Sequence, residues 1–258
     1  MQKIPNSLRS AGAAGFPASF AGAPPLPYRA GTPVASHPVA EAVIGGSPPA
    51  GLQKPVGGTL KRLMDIGVAL VALVLALPLL AMVALAIKLT MGGPVVFAHR
   101  RIGFAGAGFD CYKFRTMIKG AEEVLAQYLD AHPEAAAEWA RRRKLSRDPR
   151  VTFLGRMLRV SSLDELPQLF NVLRGDMSCV GPRPIIRDEL ELYGEVAQHY
   201  LRTRPGMTGL WQVSGRDSVG YARRVQLDLS YIQNWSLVAD IKILARTVFV
   251  LMRFEDVS

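Results

Sequence analysis

The sequence predicts a mostly helical α+β chain with one membrane-embedded helix, one small β-hairpin and amphipathic helices that lie at the membrane interface. Three observations carry this prediction. Ile66 to Ile87 is a run of 22 residues without a charge. Val95–His99 and Phe109–Phe114 are short strand-like runs on either side of a glycine-rich loop. Helical patterns recur downstream, at Ala121–Lys144, Asp164–Leu173, Arg187–Arg202 and Leu237–Arg253. At 258 residues the chain is long enough for one large domain or two small ones around a buried core.

Composition narrows the class. The 31 Lys and Arg exceed the 21 Asp and Glu by ten charges, yet 49% of residues are apolar, so a membrane or a polyanion is the natural partner. Cys111 and Cys179 have no paired spacing, which argues against a disulfide framework or zinc knuckle and for a reducing compartment. The four histidines form no H-x-H or H-E-x-x-H pattern, so any metal would need carboxylate ligands.

Residues 1–58 are dominated by Pro, Gly, Ala and Ser and read as a disordered tail. Pro17, Pro24, Pro25 and Pro27 interrupt every apolar core that a signal peptide would need there. Residues 59–91 then form the membrane helix. Its uncharged run reaches about 33 Å at 1.5 Å per residue, enough to cover a hydrocarbon core. Pro78 removes a hydrogen bond inside the run and favours a kink.

Lys61 and Arg62 precede the run; Lys88, Arg100, Arg101, Lys113, Arg115 and Lys119 follow it and place residues 92–258 in the cytoplasm. Two readings are then level. A spanning helix strands Lys61 and Arg62 outside, whereas a helix that bends at Pro78 and leaves by the face it entered keeps both basic ends inside.

Gly92-Gly93-Pro94 marks a turn into the hairpin, whose loop carries Gly103, Gly106 and Gly108. That G-x-x-G-x-G spacing is not the dinucleotide fingerprint. Ala121–Lys144 reads as helix broken at Pro133 and ending in Arg141-Arg142-Arg143-Lys144, cations that suit a helix C-terminus. Further helical patterns cover Asp164–Leu173, Arg187–Arg202 and Leu237–Arg253. In the last, Lys242, Arg246 and Arg253 form one stripe beside Ile243, Leu244, Val248, Leu251 and Met252, the pattern of an interfacial helix or of a core-facing helix with a basic outer side.

The densest cluster of unusual polar residues is Ser161-Ser162-Leu163-Asp164-Glu165-Leu166-Pro167-Gln168. Ser162 and Glu165 match the S-x-x-E capping box, so the acidic pair has a structural reading at a helix start. The functional reading counts the surrounding cations: Arg101, Lys113, Arg115, Arg174, Arg183, Arg204 and Arg216 all stand in turn-rich contexts and suit phosphate. On a strand, Lys113 and Arg115 project to one face and would grip one anion together. Arg183, between Pro182 and Pro184, is presented with little conformational freedom to lose. A carboxylate that attacks phosphorus needs cations to neutralise the repulsion between two anions, and Mg²⁺ is the natural metal for oxygen ligands.

These motifs resemble the monotopic phosphoglycosyl transferases, the bacterial sugar transferases that begin glycan assembly on polyprenyl phosphate. The resemblance covers about Lys61 to Phe254. It rests on Lys61-Arg62-x-x-Asp65, Arg101-Ile102-Gly103, Lys113-Phe114-Arg115-Thr116-Met117, Ser162–Gln168, Gly175-Asp176-Met177-Ser178, Val180–Pro184, Arg204–Gly209 and Gly215-Arg216.

The resemblance implies that Asp164 attacks the β-phosphate of a UDP-sugar, releasing UMP and leaving a phospho-sugar on the carboxylate, which undecaprenyl phosphate then collects. It implies Glu165 beside Asp164 in catalysis, Mg²⁺ on Glu165 and Asp176, and substrate contacts from Arg101, Lys113, Arg115, Arg183, Arg204 and Arg216. It also implies a re-entrant helix hairpin bent at Pro78, with Lys61 and Arg62 at the membrane edge of the bacterial inner membrane and the catalytic domain in the cytoplasm. The family's bend commonly carries Ser-Pro, where this chain has Leu77-Pro78. Similarity is greatest to members that transfer galactose or glucose phosphate to begin exopolysaccharide synthesis, including Tyr231–Leu237. The competing reading, a membrane-anchored basic nucleic-acid-binding module, lacks a reading helix or aromatic-basic interleaving, so no nucleic-acid partner is expected.

Overall fold

The computed structural model describes residues 54–142, 145–215 and 220–252. The expected disordered tail falls almost wholly on residues 1–53 and, like Arg143, Lys144, Arg216 and Arg253, lies outside the described residues. Two compact units are present: one holds residues up to 74, 99–111 and from 168 onward, the other 75–98 and 112–167.

Helix α1, Gly58–Met91, contains the uncharged run and continues through Pro78. Among the described residues it is the one helix long and apolar enough to cross a membrane. Leu70, Val71, Val74, Leu75, Leu77, Met82, Leu85 and Leu89 are all exposed along it. A core helix of a soluble domain would bury most of these side chains.

The hairpin forms as expected but with a shorter loop: β1, Val96–Ile102, pairs with β2, Gly108–Phe114. The turn closes through Gly103 N–H donating to the Ala107 carbonyl at 2.8 Å. Because β2 ends at Phe114, the strand alternation expected to align Lys113 with Arg115 does not extend to Arg115.

In the second unit, α2 (Ala121–Ala131) and α3 (Pro133–Arg142) are split at Pro133 as expected. Helix α4, Phe153–Val160, is capped by Thr152, whose hydroxyl accepts from Gly155 N–H. Gly155 is required by proximity: a Cβ there would lie 2.0 Å from the Thr116 carbonyl oxygen. This close approach seats α4 on the chain that leaves β2.

The expected single helix over Asp164–Leu173 is a correction. Leu163–Glu165 is one 3₁₀ turn and helix α5 begins only at Gln168, running to Arg174. The reason lies at Pro167, which has no N–H to donate back to Leu163; that carbonyl instead takes Leu166 N–H in the tighter 3₁₀ pattern.

The first unit is organised around β3, Ser178–Val180, parallel to β4, Gly206–Thr208, with Ser178 opposite Gly206 and Val180 opposite Thr208. Gly181 and Gly206 let two backbones touch, since a Cβ on Gly206 would fall 2.1 Å from Gly181 N. This crossing holds Pro182-Arg183-Pro184 beside Arg204-Pro205.

The expected helix over Arg187–Arg202 is interrupted at Gly194, where φ is +51°. It divides into α6 (Arg187–Tyr193), a 3₁₀ turn and α7 (Ala197–Tyr200). These pack Ile185, Leu190, Tyr193, Val196, Tyr200 and Leu201 against Ile102 and against Val225 of α8, Tyr221–Gln233. Helix α9, Leu237–Met252, completes the described chain.

The entry to α1 is anchored within this unit. Lys61 Nζ and Asp240 Oδ2 are 2.6 Å apart, both buried, and Tyr231 OH and Trp235 Nε1 also donate to Asp240. Asp65 Oδ1 accepts from Ser178 Oγ and Cys179 N–H, each at 2.9 Å. Arg62 donates to the carbonyls of Val172 and Leu173 at the C-terminal end of α5, where a cation is favourable.

Candidate active site

Asp164 sits in the middle of the 3₁₀ turn and is 8% exposed. The residue that sets up this turn is Ser162, which has φ +57° and makes no side-chain cap. The S-x-x-E capping box is therefore not formed, although both acids stand in the first turn of the 3₁₀ segment. A left-handed serine costs about 1–2 kcal/mol relative to the right-handed form, and such strain collects where a backbone must aim a functional group.

Freed from capping, Glu165 turns to Lys113, with Oε1 and Nζ 2.5 Å apart in a half-exposed pair. Asp164 has its pKa raised to about 6. Burial is the main cause and the neighbouring Glu165 charge adds to it, while Lys113 and Arg159 act in the opposite direction. The result is a carboxyl that titrates just below neutral pH with two cations close by.

Arg159 was not singled out by the sequence. It lies in the last turn of α4, donates from Nε to Thr116 Oγ1 at 2.9 Å, and contributes to the field at Asp164. Its position five residues before an unusual acidic pair is the signal that would have found it.

The remaining expected site residues are placed variously. Arg115 is buried and donates from Nη2 to the Gly92 carbonyl, just past the end of α1, while its Nε and Nη1 have no hydrogen-bond partner. Lys113 and Arg115 therefore do not share one anion through strand geometry: Lys113 is held at the acidic pair.

In the first unit, Arg101 lies 3.5 Å from Glu189 and also donates to the Pro184 carbonyl. Burial and the nearby Arg183 charge lower its pKa. Arg183 stands over the Trp211 ring at 6.0 Å. Arg204 donates from Nε to the Gly175 carbonyl at 2.7 Å, so part of its donor set closes the end of α5. Asp176 accepts from Asn171 at 3.1 Å and lies 3.4 Å from Arg174 Nε.

Among the described residues there is no group of three or more His, Cys, Asp and Glu placed to hold a metal. The half-exposed Glu165 carboxylate fits Mg²⁺, which binds one or two carboxylates and keeps several waters. Asp164, next to it, is a buried carboxyl whose charged form a cation would favour. The arrangement supplies a desolvated carboxylate, a companion carboxylate and two cations, a set suited to nucleophilic attack on an anionic centre.

The family model described as bacterial sugar transferase matches residues 56–254. The chain is 52% identical over 198 residues to the exopolysaccharide production protein ExoY of Rhizobium meliloti (strain 1021), a match covering 77% of this chain and 88% of that protein. It is 52% identical over 195 residues to the undecaprenyl-phosphate galactose phosphotransferase of Salmonella typhimurium (strain LT2), covering 75% of this chain but 40% of the relative. It is 43% identical over 205 residues to the undecaprenyl-phosphate glucose phosphotransferase of Komagataeibacter xylinus, covering 73% of this chain and 35% of that protein.

Proposed function

The chain belongs to the bacterial sugar transferase family, and from that premise we propose that it transfers a hexose phosphate, galactose or glucose, from a UDP-sugar to undecaprenyl phosphate, with Asp164 as covalent nucleophile. The products are UMP and undecaprenyl-diphospho-sugar, which would begin an exopolysaccharide repeat unit. The single observation that carries the reading is the buried carboxyl of Asp164, held on a strained turn beside Glu165, Lys113 and Arg159.

In the first half-reaction an Asp164 carboxylate oxygen attacks the β-phosphorus. An aspartyl O–P bond forms, the P–O bond to the α-phosphate breaks, and UMP leaves with the electron pair. In the second, a phosphate oxygen of the lipid attacks the same phosphorus and the aspartyl O–P bond breaks, which restores the carboxylate. Lys113 holds Glu165 in place and, with Arg159, offsets the negative charge that gathers as two anions meet. Glu165 is the residue that would hold Mg²⁺; bound there, it would neutralise phosphate charge. Arg101, Arg183, Arg204 and Arg216 are the proposed phosphate contacts, and Asp176 a further metal ligand.

Helix α1 is proposed as a re-entrant segment bent at Pro78 in the inner membrane, with the catalytic residues on the cytoplasmic side. Its exposed apolar side chains support membrane contact. Helix α9 supports the same surface: Ile243 is buried, and the side turned outward carries Val238, Ile241, Val248 and Phe249 beside Lys242.

Asp164→Asn tests the reading. The variant is expected to release no UMP from a UDP-sugar while requiring the same detergent for extraction as the unaltered chain. Full activity in it would remove Asp164 as nucleophile.

A further inference from the structure

Trp211 follows β4 and is 7% exposed. Two guanidinium groups gather over its ring, Arg224 at 4.9 Å and Arg183 at 6.0 Å, and Arg224 also stands 5.3 Å from the Tyr221 ring. Arg224 is 8% exposed, yet its Nε and Nη2 have no hydrogen-bond partner. Trp211 Nε1 and Gln212 Oε1 are likewise buried without one.

A buried guanidinium with unmade hydrogen bonds is costly, and an apolar side chain of similar length would serve packing better. The acids nearest in charge do not satisfy it. Asp228, one turn further along α8, accepts from Tyr193 OH at 2.8 Å. Glu189 is engaged by Arg101 and by Ile186 N–H. Both acids, with Tyr193 and Tyr221, favour the charged form of Arg224 against its burial and raise its pKa. The cation is thus kept charged and its donors are left over, as a ligand site requires.

We propose that Arg224, with Trp211 Nε1 and Arg183 beside it, forms a binding site for a phosphate oxyanion. Gln212 Oε1 would accept from a donor group attached to the same ligand. The inference rests on the reading above in one respect, that both substrates are phosphates: the oxyanion belongs either to the nucleotide or to the lipid phosphate. Arg224 lies inside a helix and in none of the motifs that mark the family resemblance.

The test uses the full chain in detergent, with UMP and farnesyl phosphate titrated separately by calorimetry into the unaltered protein, Arg224→Gln and Arg224→Lys. Losing charge-assisted hydrogen bonds is expected to weaken one of the two ligands about tenfold or more in Arg224→Gln. Arg224→Lys, which keeps the charge and loses the planar fork, falls between. Weakened UMP alone assigns the site to the nucleotide, and weakened farnesyl phosphate alone to the lipid.

The melting temperature without ligand is read beside the affinities, because Arg224 also faces the buried Asp228 and the Trp211 and Tyr221 rings. A fall in melting temperature with both affinities unchanged would overturn the proposal and make Arg224 a packing residue. Should both Arg224 variants fail to fold, Trp211→Phe keeps an aromatic face, smaller than the indole, and removes the N–H, and unchanged affinity for both ligands in it is equally decisive against the site. Release of UMP from UDP-sugar alone, measured in parallel on the unaltered chain, tests the Asp164 reading separately.

Discussion

At the scale of the residue, Asp164 is governed by opposed effects whose sum can be measured. Burial and Glu165 raise its pKa from 3.8 to about 6, against Lys113 and Arg159. If the carboxylate is the attacking group, the donor-only half-reaction should lose rate with a slope of one proton on the acid side, and Mg²⁺ bound beside it, which favours the charged form, should move that loss below about 6. The stability consequence has the opposite sense. A carboxyl whose folded pKa exceeds its unfolded value contributes stability that is present below the unfolded value and lost as pH rises through the folded one. The unaltered chain should therefore lose up to roughly 3 kcal/mol between pH 4 and 7 from this group, and Asp164→Asn should not. Melting curves of both proteins across that range check this, and a gap that fails to widen with pH would contradict it.

At the scale of the element, the long helix, the hairpin, the break at Pro133 and the last helix were legible because each has a local pattern or punctuating residue. The turn at Asp164 was not. The capping-box spacing of Ser162 and Glu165 is the same whether or not the box forms, and only the left-handed backbone at Ser162 and the missing N–H of Pro167 decide against it. Lys61 reads as a membrane-edge cation in the sequence, yet 179 residues separate it from the Asp240 it meets. Lys61→Met should leave Asp240 with a buried, unneutralised charge and cost about 3–5 kcal/mol, whereas replacing Lys61 and Asp240 together with apolar residues should recover part of that, less the acceptor that Trp235 Nε1 loses. Gly155→Ala should lower activity without touching a charged group, because its methyl would meet the Thr116 carbonyl and push α4 off its seat. Equal activity and melting temperature in that variant would remove α4 seating as a requirement.

At the scale of the whole molecule, the proposed cytoplasmic membrane face is anionic, which suits a chain of net charge +10 with an exposed apolar helix. A re-entrant α1 keeps both its flanks on that face. Lys54→Cys and Ser146→Cys, both at exposed positions, should then resist a membrane-impermeant maleimide in intact cells and react after permeabilisation. The native Cys111 and Cys179 are buried and give little background. Labelling of Lys54→Cys in intact cells would mean that α1 spans. The most direct measurement is the intact mass of the purified chain after exposure to UDP-sugar with no lipid acceptor. The account predicts a hexose-phosphate adduct that maps to Asp164, is absent from Asp164→Asn and disappears when polyprenyl phosphate is added. Turnover with both substrates, but no adduct and no UMP release from the donor alone, would contradict it.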